Sequence, residues 1–558
     1  MIDTTEKFDA AATATQAKTP PVVRPSVLVI GASISAGRVV PALLARGLEV
    51  TVLPGQAEAK LALGLSGSLG SFIESISTRG GDVPESLRSP DSPAALVKQL
   101  AASQASGARF ISDAKVRRCT GQAGDFQVLI TRPDEAGQEQ FETIQAGAII
   151  LAGDTFGPTS LGAEDFGVEP TRAITNLPGL MLNIQKGYIP HSLAIVIDLA
   201  AEQGKLASSV VFAAARYLAR RGCRQIRVYC RNARVASAGL ETLYRSARSA
   251  GVEFCRHDGK ISLAETPAGL IEATSLDCEL GEEITGQFNL LVLADLVRST
   301  GQSELFETLA IRPQPGLAGN IWLGPVQTNR RGVFALAVDG CDGEFYAWRD
   351  QADLAVHEIS QLLTCPTREA IDEAAKVDSE KCVSCLTCLR LCPHGAIRFD
   401  EKEQAADISQ IACQQCGICV AECPAQAIDL PQYTDEKIRR QLAQAPALTV
   451  FACENSAIPA GQQNEPDDAD MRIISVPCVG KVDPRNILKA FEQGTNQVLV
   501  LGCNPGSCKY FDGPDRARNR LTRLREMLSK VGIDPSALQY EALTANEAER
   551  FAELVKEK

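Results

Sequence analysis

Apolar runs of strand length alternate with helix-length amphipathic stretches through the first two thirds of the 558 residues. Ser26-Val-Leu-Val-Ile-Gly31 is apolar on both faces, the pattern of a strand buried in a parallel sheet. A helix through about Arg46 and a second strand, Glu49-Val-Thr-Val-Leu53, complete a βαβ opening. Ala148-Ile-Ile-Leu-Ala-Gly153 predicts another strand ending in a glycine turn. A second βαβ unit follows, with strand Leu193-Ala-Ile-Val-Ile197, a helix around Ser208 to Arg220, strand Gln225-Ile-Arg-Val-Tyr229 and a helix from Gly239 to Ala250. Asn289-Leu-Leu-Val-Leu-Ala294 closes it. Gly332-Val-Phe-Ala-Leu-Ala-Val-Asp339 then predicts a strand ending in an aspartate, ahead of a helix from about Ala347 to Leu363. The pattern predicts an α/β region over residues 26–365, built of two interleaved dinucleotide-binding domains with the second at about 190–297.

The last third shows a different pattern. After a helix over Glu436 to Gln444, Ala447-Leu-Thr-Val-Phe-Ala-Cys453 reads as a strand ending in a thiol. Met471-Arg-Ile-Ile-Ser-Val-Pro-Cys478 and Gln497-Val-Leu-Val-Leu-Gly-Cys503 do the same, with Cys508 in the next loop. Neighbouring strand ends of a parallel sheet share one edge, so a C-terminal α/β parallel-sheet domain over 447–558 brings Cys453, Cys478, Cys503 and Cys508 together. One iron–sulfur cluster is the economical reading; structural zinc and plain buried thiols are the alternatives. The helix from Asp515 to Lys530 carries Arg516, Arg518, Arg520, Arg523 and Arg525, either as a solvated face or as a dock for an acidic partner.

Between these regions, over 376–431, the sequence repeats itself. Cys382-Val-Ser-Cys385-Leu-Thr-Cys388-Leu-Arg-Leu-Cys392-Pro393 is followed by Cys413-Gln-Gln-Cys416-Gly-Ile-Cys419-Val-Ala-Glu-Cys423-Pro424, each cysteine 31 residues after its counterpart. With this C-x2-C-x2-C-x3-C-P spacing, three thiolates of a tight loop hold one cubane and the fourth reaches across to the other. Two 4Fe-4S clusters are expected, one on Cys382, Cys385, Cys388 and Cys423, the other on Cys413, Cys416, Cys419 and Cys392. Zinc fits eight crowded thiols poorly, since its sites use two ligand pairs separated by a longer spacer. Disulfides need an oxidising compartment, and no export signal is expected from the Ala-, Thr- and Pro-rich residues 1–25, which read as a disordered tail.

Composition narrows the rest. A net charge of −12 argues against nucleic acid as a partner. The longest apolar runs are strand-sized, far below the roughly 20 residues that span a bilayer, so any membrane link is expected to run through another protein of a complex. Iron–sulfur ligands must stay reduced, which implies a cytoplasmic setting. Cys119, Cys223, Cys230, Cys255, Cys278, Cys341 and Cys365 lack ligand spacing and are expected to be small buried hydrophobes. His191, His257 and His357 stand alone and are expected to be structural.

The repeat resembles the bacterial two-cluster ferredoxins. The Rossmann-like front resembles flavoproteins with two dinucleotide-binding domains, in which the segment matching Gly332 to Asp339 supplies an aspartate to the ribityl end of FAD. That resemblance makes Gly31, Ser33 and Asp339 the candidate flavin contacts. A G-x-G-x-x-G turn aligns with Gly31, Ser33 and Ala36, and a Cβ at the second position intrudes on the pyrophosphate approach. From Ser26 to Leu430 the domain order resembles the A subunit of heterodisulfide reductase. Pro477-Cys478-Val-Gly480 and Leu501-Gly-Cys503-Asn-Pro-Gly506-Ser-Cys508 resemble the delta-type iron–sulfur subunit of methyl-viologen-reducing hydrogenase, which implies a 2Fe-2S cluster; that family often has a second cysteine where this chain has Ser456.

The whole order is similar to the B subunit of the quinone-interacting membrane-bound oxidoreductases. It implies an electron-transfer oxidoreductase subunit whose partners are other redox subunits: flavoproteins, heterodisulfide reductase-like proteins or quinone-reactive membrane proteins. The alternatives are a self-contained FAD enzyme that splits hydride pairs into its own clusters, and a non-catalytic assembly platform with a degenerate flavin fold. No catalytic base or nucleophile stands out.

Overall fold

The computed structural model describes residues 23–54, 72, 93–134, 137–152, 156–158, 163–166, 168, 173–197, 199, 205–233, 235, 239–294, 296–298, 301–312, 324–336, 347–364, 373–443, 446–462 and 471–556. Asp339, Cys341, Cys365 and residues 1–22 of the tail expected over 1–25 lie outside the described residues.

The first apolar run forms the strand Ser26–Ile30, central in a five-stranded parallel sheet. Its order is Val333–Ala335, Ala148–Leu151, Ser26–Ile30, Glu49–Leu53, Arg109–Phe110. The helix Ile34–Leu44 covers one face and packs against the helices Pro93–Ala105 and Ala347–Thr364. Val27, Val29, Val39, Leu43 and Ile150 join in one core there.

Between the fourth and fifth of these strands in chain order lies a second parallel sheet, which makes the two units interleaved. It runs Val252–Arg256, Gln225–Cys230, Ser192–Val196, Leu290–Leu293, Ile174–Asn176. The helix Lys205–Arg220 presents Ala207, Val210, Val211, Ala214 and Leu218 to it, the three- and four-residue spacing of one helix face.

Each unit also carries a three-stranded antiparallel sheet that the strand pattern above does not include. These are Lys115–Gln122, Asp125–Pro133 and Glu139–Ala146 in the first unit, and Ser262–Glu265, Ile271–Asp277 and Glu282–Phe288 in the second.

The cysteine repeat folds into two short antiparallel pairs, Lys376–Val377 with Ile428–Asp429 and Ile397–Asp400 with Ala405–Ile408. Its Ala396, Ile397, Ile408 and Ile411 share a core with Val27 and Ile359, so this unit sits on the first sheet's helix layer. Beyond it, the parallel strands Met471–Val476, Leu448–Cys453, Gln497–Gly502 and Leu538–Ala542 form a four-stranded sheet. Among the described residues, no helix is long and apolar enough to cross a membrane.

Candidate metal centres

In both copies of the repeat the loop turns through left-handed residues. Ser384 and Leu386 have φ of 54° and 58°; Gln415 and Gly417 have 58° and 73°. This folds each C-x2-C-x2-C segment back on itself, with its third cysteine in the short helix Thr387–Leu391 or Ile418–Ala421. Cys382, Cys385, Cys388 and Cys423 line a single cleft. Cys388 feels Cys423, Cys385 and Cys382 as charge neighbours, whereas Cys416 feels Cys419, Cys392 and Cys413. Cys419 feels Cys413 and Cys392 but also Cys388, so the two sets of thiols adjoin one another.

The two groups differ in environment. Burial pushes the Cys388 thiol up to about 11 and drives Cys416 and Cys419 well above the ordinary thiol range. Exposed Cys385 goes the other way, lowered by the hydroxyl and backbone N–H of Thr387. Buried thiolates need a compensating cation, and a cluster's iron supplies one. Backbone N–H groups already aim at sulfur: Gln415 N donates to Cys413 Sγ at 3.4 Å and Ala427 N to Cys423 Sγ at 3.3 Å. Such N–H···S contacts stabilise thiolate ligands.

The C-terminal cysteines converge as the strand ends require. Cys453 Sγ and Cys503 Sγ are 3.8 Å apart, and Cys478 Sγ and Cys508 Sγ 3.9 Å. A tetrahedral metal with metal–sulfur bonds of about 2.3 Å sets ligand sulfurs about 3.8 Å apart, so each pair matches the edge of one metal's coordination shell. The N–H groups of Asn455, Gly480 and Tyr510 donate to Cys453, Cys478 and Cys508 at 3.4, 3.4 and 3.3 Å. Contact with Cys503 and burial raise Cys453, and contact with Cys478 raises Cys508. Among the described residues no group of three or more His, Cys, Asp or Glu side chains is arranged to hold one ion. Cys503 contacts Cys508 as well, so the four thiols form one continuous group, a donor set that fits a two-metal cluster or a single zinc. Ser456, at the family's extra cysteine position, is buried beside this group.

Several residues that motif spacing did not single out hold the two sites together. Cys416 and Ile418 lie in one buried core with Cys453, Cys478, Cys503, Cys508 and Tyr510. Lys481, fully buried, lays its stem across Gly417 and reaches Asp435 Oδ1 at 3.1 Å. Arg520, on the helix Gly513–Lys530, pairs with Glu422 and donates to the carbonyl oxygens of Gly480 at 2.7 Å and Val482 at 3.2 Å. Three of the five arginines thus pair with acidic residues of the same chain, Arg520 with Glu422, Arg516 with Asp512 and Arg518 with Asp515. Asn329 Nδ2 donates to Pro393 O at 2.7 Å, and His394 Nδ1 lies 2.8 Å from Asn329 O. Burial pushes His394 down to about 4, so its ring is neutral and Nδ1–H is the donor at that contact. His394 also meets Tyr510 edge-on, with centroids 5.9 Å apart.

At the flavin position, Gly31 has a φ of 104°, where a side chain is strained. Ser33, fully buried, caps the helix Ile34–Leu44, its Oγ accepting from Ser35 N at 3.3 Å. That serine takes up a helix N-terminal N–H that a pyrophosphate would otherwise use. Ser35 Oγ is buried with no hydrogen-bond partner among the described residues, an acceptor and donor left free at the same helix end. The donor set is a partial fit for a dinucleotide.

His257 is structural, as expected: its Nε2 lies 2.8 Å from Ile197 O, and its Nδ1 accepts from Gly259 N at 2.9 Å. Cys223, Cys230 and Cys255 are buried, but Cys278 is exposed and Cys119 partly so, contrary to the expectation for all seven. Cys278 sits in the turn after the strand Ile271–Asp277, where alternation carries it outward.

A family model for the methyl-viologen-reducing hydrogenase delta subunit matches residues 448–558, and one for the 4Fe-4S dicluster domain matches 381–427. The A subunit of the ferredoxin:CoB-CoM heterodisulfide reductase of Methanosarcina mazei is 31% identical over 345 residues, 58% of this chain and 42% of that protein. The chain therefore spans about two fifths of that relative's length. The iron–sulfur D subunit of the F420-non-reducing hydrogenase of Archaeoglobus profundus is 31% identical over 116 residues, 20% of this chain and 85% of that protein. Its vhc counterpart from Methanococcus voltae is 34% identical over 110 residues, 19% and 76% respectively. Among solved structures, T. acidophilum thioredoxin reductase superposes with a TM-score of 0.41 at 14% identity, covering 60% of this chain and 98% of that one. Through residues 448–558 the chain belongs to the methyl-viologen-reducing hydrogenase delta subunit family, and it joins that domain to a 4Fe-4S dicluster domain and a front region homologous to the A subunit of heterodisulfide reductase.

Proposed function

We propose that this chain is an electron-transfer subunit of a multi-subunit redox complex, holding two 4Fe-4S clusters in the repeat and a 2Fe-2S cluster on Cys453, Cys503, Cys478 and Cys508. One observation carries the reading: Cys416, from the second repeat loop, is buried in the same core as the four C-terminal thiols. Clusters bound at these places supply one-electron carriers with potentials set by burial and by hydrogen bonds to sulfur. The chain's own work is to hold, space and insulate them. Its partners are other redox subunits of the heterodisulfide reductase, flavoprotein or quinone-reactive kind, and its setting is the cytoplasm, with any membrane association through those partners.

Iron and acid-labile sulfide analysis of the anaerobically purified chain tests this. About ten of each per chain are expected from two cubanes and one two-iron cluster. Zinc in place of iron would reject the proposal.

A second reading, FAD bound in the front half and serving its own clusters, is favoured by the unpartnered Ser35 Oγ at the first helix end. Flavin absorbance released on denaturation supports it; a colourless supernatant removes it.

A further inference from the structure

The two copies of the repeat share a backbone and differ in what covers them. The second copy is capped by the chain's own C-terminal domain: Lys481 lies on Gly417, Ile418 packs against Gly480, and Arg520 holds Glu422. As a result Cys416 is only 7% exposed and Val420 4%. At the matching positions of the first copy, Cys385 is exposed and Leu389 is 36% exposed. Val383, next to the first ligand, is 65% exposed.

Leaving a cluster ligand and two apolar side chains in water has no stabilising purpose, because burying them is worth roughly 25 cal/mol per Å². A small apolar centre around an exposed redox ligand is the form of a transient electron-transfer interface.

We propose that the bare face around Val383, Cys385 and Leu389 is the port through which this chain exchanges single electrons with a separate iron–sulfur polypeptide. That partner seats on the first copy as the C-terminal domain seats on the second. The repeat's internal symmetry is what names the occupant: the equivalent face is already closed by a cysteine-bearing domain whose thiols lie in the core it shares with Cys416. A cluster held by Cys382, Cys385, Cys388 and Cys423 would exchange one electron with the docked partner, with no bond made or broken. Cys392, Cys413, Cys416 and Cys419 would hold the second cluster on the side of the C-terminal site, where Cys416 shares a core with its thiols. This inference rests on the proposed cubanes.

The test uses the full-length, cluster-loaded chain with a reduced bacterial two-cluster ferredoxin as the probe donor, followed by stopped-flow absorbance. The double variant Val383→Asn/Leu389→Asn removes the apolar centre without adding charge. It should lower the second-order rate of reduction by ferredoxin at least fivefold while reduction by dithionite stays within twofold. Leu280→Asn, at a residue 67% exposed on the second dinucleotide-type unit, should change neither rate. A full complement of cubane iron with an unchanged ferredoxin rate in the double variant sinks the port alone. A dimer of the parent chain that the double variant dissociates also sinks it, because a second copy then covers the face. A shortage of cubane iron in the parent chain sinks the underlying reading and the port with it.

Discussion

At Gly513 the structure leaves no room for a side chain: a Cβ there would lie 2.1 Å from Cys478 Sγ and 3.5 Å from Cys508 Sγ. The residue opens the helix Gly513–Lys530, where alanine is otherwise a better helix former by about 1 kcal/mol. Gly513→Ala should therefore displace a ligand pair without unfolding the helix. Iron should fall from about ten to about eight per chain, with the cubane signals intact. Unchanged iron would show that Cys478 and Cys508 are not ligands. Gly513 could not be picked out from spacing, because its neighbour in space is 35 residues away in the chain. Nor could Gly417. Its counterpart Leu386 adopts the same left-handed turn, so φ alone does not demand glycine; what demands it is Lys481, whose Cβ and Cδ would each be 2.8 Å from an added Cβ.

At the scale of elements, strands apolar on both faces were legible because nothing but a covered parallel sheet accommodates them. The antiparallel sheets were not. Lys115–Gln122 contains no fully buried residue, and the buried side of Asp125–Pro133 is confined to Phe126, Val128, Ile130 and Thr131, too short a signal against its charged flanks. The arginine-rich helix was half legible: amphipathic spacing showed that it forms, but not that Arg520 turns inward. Its guanidinium is shared between a carboxylate and two carbonyl oxygens and is only 11% exposed. Arg520→Ala should cost about 2 kcal/mol, in the range for hydrogen bonds to charged groups. Arg520→Lys should recover only part, because an ammonium lacks the planar fork that reaches all three acceptors. Denaturant unfolding of the cluster-loaded protein measures both, and equal stability of the lysine variant and the parent would refute the shared-fork account.

At the scale of the whole molecule, the front half meets the cluster-bearing units through the apolar core shared by Ile359, Ile397 and Ile408 and through polar contacts at Asn329, which no sequence pattern marks because its partners come from distant parts of the chain. Asn329, 2% exposed, donates from Nδ2 to Ala310 O at 3.1 Å and Pro393 O at 2.7 Å, and accepts from Arg312 N at 2.7 Å. Arg312 in turn reaches Asp512 of the C-terminal domain at 2.9 Å, an exposed pair worth little by itself. The amide side chain thus ties the front unit to the repeat, and Arg312, held by it at the backbone, reaches on to the C-terminal domain. Asn329→Ala leaves Pro393 O, Ala310 O and Arg312 N without that partner, at about 1–3 kcal/mol for each group that water cannot reach. Asn329→Asp keeps the acceptor for Arg312 N but removes both donors, so it should rescue little. If the junction couples the modules, the alanine variant should unfold in two calorimetric steps where the parent unfolds in one, with the iron content of the folded protein unchanged. A single transition merely shifted to lower temperature would mean that the modules are joined through the apolar core shared by Ile359, Ile397 and Ile408, and that Asn329 adds stability without coupling.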